Sequence, residues 1–373
     1  MNGLASVLRA SWGRPRHALG IGNLDWTHLD GITVAGDDAL AKTRETFDAA
    51  VVELPSSDEA AQDRLRAAMR VLSDGGHVLL PITHAVSFTE GQRLRRGFER
   101  ASERTVRLAE AAGLEVLRVD VRRHAAVVVA RVAPKRRKLS LTVGMLTLNE
   151  QQSVERMIDE IRQYAPDAGI LLVDSSTDET PDLARAKGAD VIRQLPARGH
   201  GPAMEQLMYA AAERSDALVY IDCDFTYPTE YIPRILELLE DGADVVNGTR
   251  THKYPKAMPV PNFIANRVFA ATAQILHGIP TTDLHSGLRG YRSSVIRAFS
   301  FSGEQDALPV TTLIVPARSG YRVVDLPIPY AEREGTSKLA KFRGTAWTFA
   351  RVATSFGKGR RVRRGRNYSH VGR

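Results

Sequence analysis

Between residues 141 and 247 the sequence alternates short apolar runs with helical patterns, and this alternation restricts the possible folds more than any other feature. The apolar runs are 141–147, 169–174, 217–222 and 244–247, and the helical patterns between them are 151–164, 203–213 and 230–240. Strands that alternate with helices form βαβ units whose strands pair in a mostly parallel sheet. The pattern therefore predicts an α/β fold that binds ligands at the carboxyl ends of its strands, where the strand order reverses.

The first third of the chain has its own, smaller alternation. It predicts strands at 47–54, 77–82, 114–119 and 125–132 and helices at 60–72 and 91–112, with Asp74-Gly75-Gly76 ending the first helix. A chain of 373 residues is also long enough for two domains. We therefore predict a smaller Rossmann-like α/β domain over 1–132, a basic linker over 133–140, a second α/β domain over 141–338 and a basic tail over 339–373.

The positive charge of the chain is concentrated at its end. The net charge is +8, but eleven Lys and Arg residues and no Asp or Glu follow Glu334, so the rest of the chain is net −3 (8 minus 11). No run approaches the roughly 18 apolar residues of a membrane span, and the N-terminus lacks the apolar core of a signal peptide. The single cysteine, Cys223, fits a reducing compartment. We therefore expect a cytoplasmic protein.

Four predicted strands of the second domain end in polar residues. The carboxyl ends of parallel strands meet at one edge of a sheet, so these side chains are expected to form one ligand site. One polar strand end would be ordinary surface, whereas four in order favour a site. The polar segments are 147–150, 174–180, 222–224 and 247–250.

Asp222 and Asp224 are the candidate metal ligands. They stand two residues apart after an apolar strand, so both carboxylates can face one point once the chain leaves the sheet. Such hard oxygen ligands suit Mg²⁺ or Mn²⁺, which would also bind substrate phosphates and neutralise a diphosphate leaving group. The alternative is a helix cap and a solvated acid, because Pro228 and Glu230 open a helix here. The other polar strand ends favour the metal.

Asp174, Asp178 and the loop at Arg198 each have a simpler explanation beside the functional one. Asp174 stands at a strand end, where it could accept hydrogen bonds from a nucleobase or ribose. Asp178 could instead cap the helix that opens at Glu179-Thr180-Pro181. The segment Arg198-Gly199-His200-Gly201 opens a helix, and its glycines either let the backbone approach a ligand or only turn the chain.

Taken together, these segments resemble glycosyltransferase family 2, which has the GT-A fold. The resemblance covers residues from about 141 to 340, and its last two motifs point to the branch of dolichol-phosphate mannose synthases and polyprenyl-phosphate glycosyltransferases. The motifs in order are Asn149-Glu150, Val-Asp-x-Ser-Thr-Asp-x-Thr at 173–180, Arg198-Gly199-x-Gly201, Asp222-x-Asp224, Gly248-Thr249-Arg250, Asp-x-x-Ser-Gly-x-Arg at 283–289 and Arg-x-Gly-x-Ser-Lys at 333–338.

The resemblance implies an inverting, metal-dependent enzyme that moves a hexose from a GDP- or UDP-sugar to a polyprenyl phosphate. A lipid phosphate is already an anion and needs cations to position it, whereas a hydroxyl acceptor would make Asp283 an essential base. By motif, the catalytic residues are Asp224, Asp283, Arg289 and Lys338, and Asp222 and Asp224 hold Mg²⁺ or Mn²⁺. The residues implied in holding the donor or its phosphates are Asn149, Glu150, Asp174, Asp178, Arg198, Arg250, Arg333 and Ser337.

The tail after residue 338 suits an anionic membrane surface. Residues 339–352 mix apolar and aromatic side chains with Lys and Arg, as in a helix that lies on a membrane. The arginine-rich run 360–366 would add about 1 kcal/mol per charge near such a surface. A solvated tail and nonspecific nucleic-acid binding are the alternatives. The predicted partners are thus a nucleotide sugar, a lipid phosphate and the cytoplasmic membrane face, with a homo-oligomer left open and no specific nucleic acid.

Three segments of the first domain, 47–52, 70–80 and 112–116, resemble the later half of a class I methyltransferase. The glycine-rich cofactor loop of that family should come earlier. Only Leu19-Gly20-Ile21-Gly22 is available, and it lies too close to Phe47 for the usual strands to follow it. We therefore expect a truncated, noncatalytic domain that does not use S-adenosylmethionine.

Three alternatives to the lipid-linked reaction remain open from the sequence. The same fold could glycosylate a soluble hydroxyl acceptor such as a natural product. A noncatalytic scaffold with a decayed site is a second alternative, against which the intact Asp222, Asp224, Arg289 and Lys338 argue. The third, a working methyltransferase, requires S-adenosylmethionine binding by residues 1–135.

Overall fold

The structure, a computed structural model, describes residues 8, 14, 17–22, 24, 32–82, 91–122, 125–303, 308–332 and 368–370. Within these residues the chain divides into two compact units. Unit 1 takes the described parts of Met1–Lys135 and Arg297–Ser300, and unit 2 takes those of Arg136–Ile296, Phe301–Gly359 and Gly365–Arg373. Apart from 368–370, the predicted tail lies outside the described residues.

Unit 1 contains six strands and three helices in its described part. They are β1 (Ala18–Ile21), β2 (Ile32–Ala35), α1 (Asp37–Lys42), β3 (Phe47–Val52), α2 (Asp58–Arg70), β4 (Leu72–Ile82), α3 (Gly91–Ala111), β5 (Leu114–Arg122) and β6 (Ala125–Val132). The sheet order is β2-β1-β3-β4-β6-β5. The first four strands in this order are parallel, and β6 is antiparallel to both of its neighbours. Buried aliphatic side chains of the sheet and of α2 form the core of the unit.

The first predicted helix ends at Arg70, before Asp74-Gly75-Gly76, but these three residues lie within β4, which runs from Leu72 to Ile82. Phe47 of β3 pairs with Leu72, while Ala49 pairs with His77, so the extra residues of β4 form a bulge. A bulge lets a strand continue with unpaired residues inserted. Gly75, with a φ of 74°, supplies the backbone conformation that this insertion needs.

One strand does form between Gly22 and Phe47, an interval that the sequence suggested was too short for the usual strands of the methyltransferase fold. Both β2 and α1 form in this interval, and β2 pairs in parallel with β1. They fit because β2 has four residues and α1 has six. Short elements of this kind are easy to miss from periodicity, which needs longer windows.

Unit 2 contains eight strands and seven helices in its described part, besides a 3₁₀ turn at Thr229–Tyr231. They are β7 (Leu141–Thr147), α4 (Val154–Tyr164), β8 (Gly169–Asp174), α5 (Thr180–Ala186), β9 (Asp190–Arg193), α6 (His200–Arg214), β10 (Ala217–Ile221), α7 (Ile232–Glu240), β11 (Val245–Thr249), α8 (Val260–His277), β12 (Leu288–Arg292), α9 (Ser293–Arg297), α10 (Leu308–Arg318), β13 (Val323–Pro327) and β14 (Tyr368–His370).

The eight strands of unit 2 form one sheet in the order β14-β13-β11-β12-β10-β7-β8-β9. Every neighbouring pair is parallel except the two pairs that involve β12, which is antiparallel to both β10 and β11. The predicted α/β class with a mostly parallel sheet is therefore confirmed. From β7 the chain proceeds outward to β8 and β9, whereas β10 lies on the other side of β7, so the strand order reverses between β7 and β10.

Apolar periodicity explains why the helices of unit 2 pack on this sheet. Met157, Ile158 and Ile161 on α4 fall on one face and are fully buried, as are Ile235 and Leu239 on α7. They belong to one core with the apolar residues of β7, β8 and β10. In the described part of the chain, no helix is both long enough and apolar enough to cross a membrane.

Residues 297–300 belong to unit 1, although the sequence boundaries assign them to the second domain. Arg297 forms an ion pair with Asp48 (3.5 Å), and its carbonyl accepts a hydrogen bond from the N–H of Arg14 (2.6 Å). The Arg118 guanidinium lies over the Phe299 ring at 5.7 Å. These long-range contacts hold residues 297–300 in unit 1, and no local sequence pattern predicts them.

Candidate active site

The reversal point between β7 and β10 brings two of the predicted polar segments together. Ser153, at the start of α4, joins them, because its hydroxyl donates to the carbonyl of Cys223 (3.0 Å) and also lies 3.4 Å from a carboxylate oxygen of Glu150. Glu150 follows β7, and Cys223 stands between the two acidic residues that follow β10. A crevice at the carboxyl ends of strands on either side of a reversal is where α/β sheets bind ligands.

Asp174, at the end of β8, is fully buried, and its carboxylate accepts hydrogen bonds from the protein itself. The Arg193 Nη1 atom lies 2.7 Å from Oδ2, and the hydroxyls of Thr147 and Ser176 lie 2.7 Å and 2.6 Å from Oδ1. Arg193 also donates to the carbonyl of Ser176 (2.7 Å). Asp174 therefore fixes the segments that follow β7 and β8. Arg193 was not predicted as part of this site, since it is remote in sequence.

Asn149 is exposed and adopts the left-handed backbone conformation, with a φ of 55°. Asparagine tolerates this region better than most residues because its side chain bonds locally. Here its Oδ1 accepts from the N–H of Thr177 (2.9 Å), and its own N–H donates to the hydroxyl of Ser176 (2.7 Å). The predicted nucleoside residue thus ties the segment after β7 to the segment after β8.

Glu150 and Asp178 are connected through Thr180, the first residue of α5. The N–H of Glu150 donates to the Thr180 hydroxyl (2.8 Å), and the N–H of Thr180 donates to the Asp178 carboxylate (3.0 Å). Asp178 therefore satisfies the N-terminal end of α5, as the capping alternative proposed. The Glu150 side chain is only half-buried and remains on the edge of the crevice.

Asp222 follows β10 directly and is packed against the loop that precedes β12. Its N–H donates to the carbonyl of Gly287 (3.1 Å), and a Cβ atom added to Gly287 would lie only 2.0 Å from Asp222 Oδ2. The buried Tyr220 hydroxyl donates to Asp222 Oδ1. Burial, followed by the charge of Asp222, raises the pKa of Tyr220 well above its usual value, so this hydroxyl stays a proton donor.

Asp224 is buried, with its side chain held by the turn that follows it. The N–H of Thr226 donates to Asp224 Oδ1 (3.1 Å), and the Thr226 hydroxyl donates to the same oxygen. Phe225, between them, has a φ of 59°, and the Arg156 guanidinium lies over its ring at 4.5 Å. This left-handed residue turns the chain immediately after Asp224, which fixes the direction of the carboxylate.

Arg250 and Asp283 form a buried ion pair in which both carboxylate oxygens take part. Arg250 Nε lies 2.7 Å from Oδ2 and Nη2 lies 2.9 Å from Oδ1, and the N–H of Arg250 also donates to Oδ2 (3.1 Å). Burial alone would raise the pKa of Asp283, but the Arg250 charge and hydrogen bonds outweigh it and lower that pKa below the usual value. Asp283 is therefore an anion bound to Arg250 at neutral pH.

Two tyrosines that the sequence did not single out complete this cluster. The Arg250 guanidinium lies 5.4 Å from the Tyr227 ring centre and 5.1 Å from that of Tyr330. The Tyr227 hydroxyl accepts a hydrogen bond from the N–H of Gly287 (2.7 Å). The cluster therefore links the end of β11 to the loop against Asp222. Tyr227 lies three residues after Asp224, and this proximity is the only sequence signal for it.

Arg289, which the resemblance implies to be catalytic, is almost completely buried within the described part of the chain, with 1% of its surface exposed. Its Nε donates to Asn247 Oδ1 (2.8 Å), and its Nη2 donates to the carbonyl of Leu284 (2.6 Å). Its Nη1 donates to the carbonyl of Pro309. In this arrangement Arg289, on β12, stabilises the loop that precedes this strand.

The remaining predicted residues are not brought to the crevice by any described contact. Arg198 is exposed just before α6, and Gly199, with a φ of 98°, precedes the first residue of that helix. A Cβ atom on Gly201 would lie 2.1 Å from the carbonyl oxygen of Gly303, so close backbone packing explains this glycine. Arg333, Ser337 and Lys338 lie outside the described residues.

Asp222 and Asp224 both supply carboxylate oxygens, the ligand type that Mg²⁺ and Mn²⁺ prefer. Among the described residues, no group of three or more His, Cys, Asp or Glu side chains is placed to hold a metal ion. Two carboxylates at a strand end would leave coordination positions to water and to phosphate oxygens, as Mg²⁺ prefers. Two carboxylates alone would suit a metal bound together with a diphosphate better than a structural metal, which needs more protein ligands.

Comparison with known proteins finds a matching family and similar enzymes. A family model described as "Glycosyl transferase family 2" matches residues 142–299. A dolichyl-phosphate hexose transferase of Haloferax volcanii is 40% identical over 207 residues, which cover 55% of this chain and 89% of that protein. An undecaprenyl-phosphate mannosyltransferase of Micrococcus luteus is 30% identical over 207 residues, which cover 52% of this chain and 85% of that protein.

A crystal structure of glucosyl-3-phosphoglycerate synthase from Mycobacterium tuberculosis, in complex with Mn²⁺, UDP-glucose and glycerol 3-phosphate, also aligns with this chain. Its TM-score is 0.46 at 22% identity, and the alignment covers 58% of this chain and 80% of that one. The family match and the extensive coverage of the relatives confirm the predicted enzyme class. The chain belongs to glycosyltransferase family 2 and is a nucleotide-sugar glycosyltransferase.

Proposed function

We propose that unit 2 transfers a hexose from a GDP- or UDP-sugar to a polyprenyl phosphate. The names of the two relatives, which specify dolichyl and undecaprenyl phosphate, support this acceptor. The observation that carries the proposal is the ion pair between Asp283 and Arg250. A carboxylate of lowered pKa that is bound to a guanidinium is a poor general base. An acceptor that is already an anion needs no base, whereas a hydroxyl acceptor does.

The donor would lie in the crevice between β7 and β10. Asn149 and Glu150 would border the nucleoside, and Asp174 and Asp178 would support that border from behind through the hydrogen bonds described above. Asp222 and Asp224 would hold Mg²⁺ or Mn²⁺ together with the diphosphate. When bound, the ion would neutralise the charge that develops on the leaving nucleoside diphosphate.

We expect a single displacement with inversion. An oxygen of the acceptor phosphate attacks the anomeric carbon while the bond between that carbon and the nucleoside diphosphate breaks. The protein contributes position and charge, and no proton has to leave a phosphate dianion. The Arg250 guanidinium is bound to Asp283, so its effect on a phosphate would act largely through the loop it fixes. Arg333 and Lys338 remain the proposed cations for the acceptor phosphate.

The test is transfer from labelled GDP- and UDP-hexoses to a short-chain polyprenyl phosphate, with Mg²⁺ or Mn²⁺ and with chelator. We expect a lipid-linked product whose anomeric configuration is the inverse of the donor's. The variant Asp224→Asn should lose about 10²- to 10³-fold in rate, as removal of one preorganised electrostatic group does. Asp182→Asn, at an exposed position of α5, is the matched control and should retain full activity.

Each other outcome has a defined meaning. Donor hydrolysis without a lipid product, combined with metal-dependent transfer to a soluble hydroxyl, would contradict the acceptor and establish the soluble alternative. Full activity in the presence of chelator, or in Asp224→Asn, would contradict the proposal that transfer depends on a metal ion held by Asp222 and Asp224. Retention of the donor's anomeric configuration would contradict the single displacement.

For unit 1, which the sequence likens to a truncated methyltransferase, we propose a role other than methyl transfer. A Cβ atom on Gly22 would lie 2.5 Å from Cβ and 2.7 Å from Oε2 of Glu53, so the protein's own side chain fills the space beside this glycine. We therefore expect no heat of binding when S-adenosylmethionine is titrated into the full chain. Micromolar binding would contradict this proposal.

A further inference from the structure

Helix α8 (Val260–His277) presents an apolar face that no described element covers. Large apolar side chains follow at helical spacing along this face, and Ala271 lies in line with them. A soluble surface rarely exposes such a continuous row, and one that does so marks an interaction site. Their exposed fractions are Val260 53%, Ile264 56%, Val268 43% and Ile275 82%.

The charges around this face complement an anionic surface. Between Val245 and Thr282 the chain contains no Asp or Glu. The cations of this stretch include Lys253 and Lys256, just before α8, and Arg267 within it, and all three side chains are exposed. An apolar row on a helix, within a stretch of chain that contains basic residues and no acidic ones, is the pattern of a helix that lies in a membrane interface.

An aromatic residue that precedes the helix packs against its first turn. Tyr254 is 47% exposed, and its ring packs edge-on against Phe263 of α8 with the ring centres 5.2 Å apart. Its hydroxyl donates to the carbonyl of Met258 (3.0 Å). A tyrosine with an apolar body and a polar tip suits the boundary between hydrocarbon and headgroups.

The opposite face of α8 packs against the loop that precedes β12 and contains Asp283 and His285. Phe269, which is buried, packs against the ring of His285 at 5.2 Å, and the N–H of His285 donates to Asp283 Oδ1 (3.1 Å). One helix therefore has its outer face open and its inner face against the loop that precedes β12. If the outer face rests on a bilayer, the headgroup plane lies one helix diameter from that loop, about 10 Å away.

We infer that α8 docks unit 2 on an anionic lipid bilayer, with Val260, Ile264, Val268, Ala271 and Ile275 in the interface. This rests on the proposed function and deepens it, because it brings the loop that contains Asp283 close to the plane where a lipid phosphate emerges from the bilayer. It is distinct from the membrane role predicted for residues 339–373, since it needs only residues that the structure describes.

The test is flotation of the full chain with vesicles of phosphatidylcholine, with and without phosphatidylglycerol. Ile264→Gln/Ile275→Gln should lower the vesicle-bound fraction at least about tenfold, since each withdrawn isoleucine weakens apolar partitioning by that order. The matched control, Val34→Gln/Tyr164→Gln, alters two other exposed apolar residues, 53% and 37% exposed, and should float like the unaltered chain. Binding should also be stronger with phosphatidylglycerol.

Transfer to a water-soluble short prenyl phosphate separates this inference from the proposed function. The α8 double variant should keep that activity while losing transfer to a long-chain acceptor in vesicles. No transfer to either acceptor by the unaltered chain would sink the proposed function and leave the flotation result intact. Flotation of the double variant equal to that of the unaltered chain would overturn the inference. Light scattering that shows a dimer for the unaltered chain and a monomer for the α8 double variant would also overturn it, because the face would then bind a second copy of the chain.

Discussion

The ion pair between Arg250 and Asp283 yields the most demanding prediction. In Asp283→Asn the side chain keeps one acceptor oxygen, whereas the aspartate accepts from three Arg250 donors and from the N–H of His285. The amide would also place its own donors against the guanidinium. Arg250 would then be a buried charge without a counter-charge, and breaking such a pair costs about 3–5 kcal/mol.

The surroundings of Arg250 set the expected value near the lower end of this range. In the variant, the guanidinium would keep its cation–π contacts with Tyr227 and Tyr330, and Nη2 would keep its hydrogen bond to the carbonyl of His285 (3.0 Å). Cation–π contacts of this kind each retain about 0.5–2 kcal/mol. We therefore expect Asp283→Asn to lower the free energy of unfolding of unit 2 by about 3 kcal/mol.

Urea denaturation followed by circular dichroism, with hydrogen exchange in β11 and β12, measures this loss in the correct unit. Asp182→Asn is the control, because its ion pair with Arg185 is exposed and worth less than about 1 kcal/mol. Arg250→Met/Asp283→Leu should be more stable than Asp283→Asn, since apolar replacement of both partners leaves no charge unpaired. Two results would refute the reasoning. One is a loss under about 1 kcal/mol in Asp283→Asn. The other is a double variant that is no more stable than Asp283→Asn.

Two further predictions follow from single contacts. Gly287→Ala would place a methyl group 2.0 Å from the Asp222 carboxylate, so it should reduce the transfer rate at least about tenfold and lower the free energy of unfolding by about 1–3 kcal/mol. The control Gly36→Ala, with no atom within 4 Å of its Cβ position, should change neither. Equal transfer rates in the two variants would contradict the close packing of Gly287 on Asp222. The hydrogen bond from Arg137 lowers the pKa of Asp216 to about 2, so its contribution to stability is present above about pH 4 and is lost as the pH falls toward 2. Urea midpoints measured across this interval should therefore fall less steeply in Asp216→Asn than in the unaltered chain, and parallel profiles would count against this assignment.

The sequence by itself determined the α/β class, the strand ends that face the crevice and the enzyme family. These follow from local properties: apolar periodicity fixes strands and helices, and the residue after a parallel strand must emerge at one edge of the sheet. Asp222, Asp224 and Glu150 could be placed in this way. The short β2 and the bulge in β4 could not, because both depend on pairing with β1 and β3.

The tertiary structure decided which of the predicted side chains face the crevice and which support it. Arg289 and Asp174 belong to motifs of the ligand site, yet both are buried and bound to partners that are distant in sequence, Asn247 and Arg193 respectively. Similarly, α8 contains apolar residues around most of its circumference, and only the elements packed on it determine which row stays exposed. Burial and pairing are properties of the whole fold, because they depend on neighbours that come together only after the chain has closed.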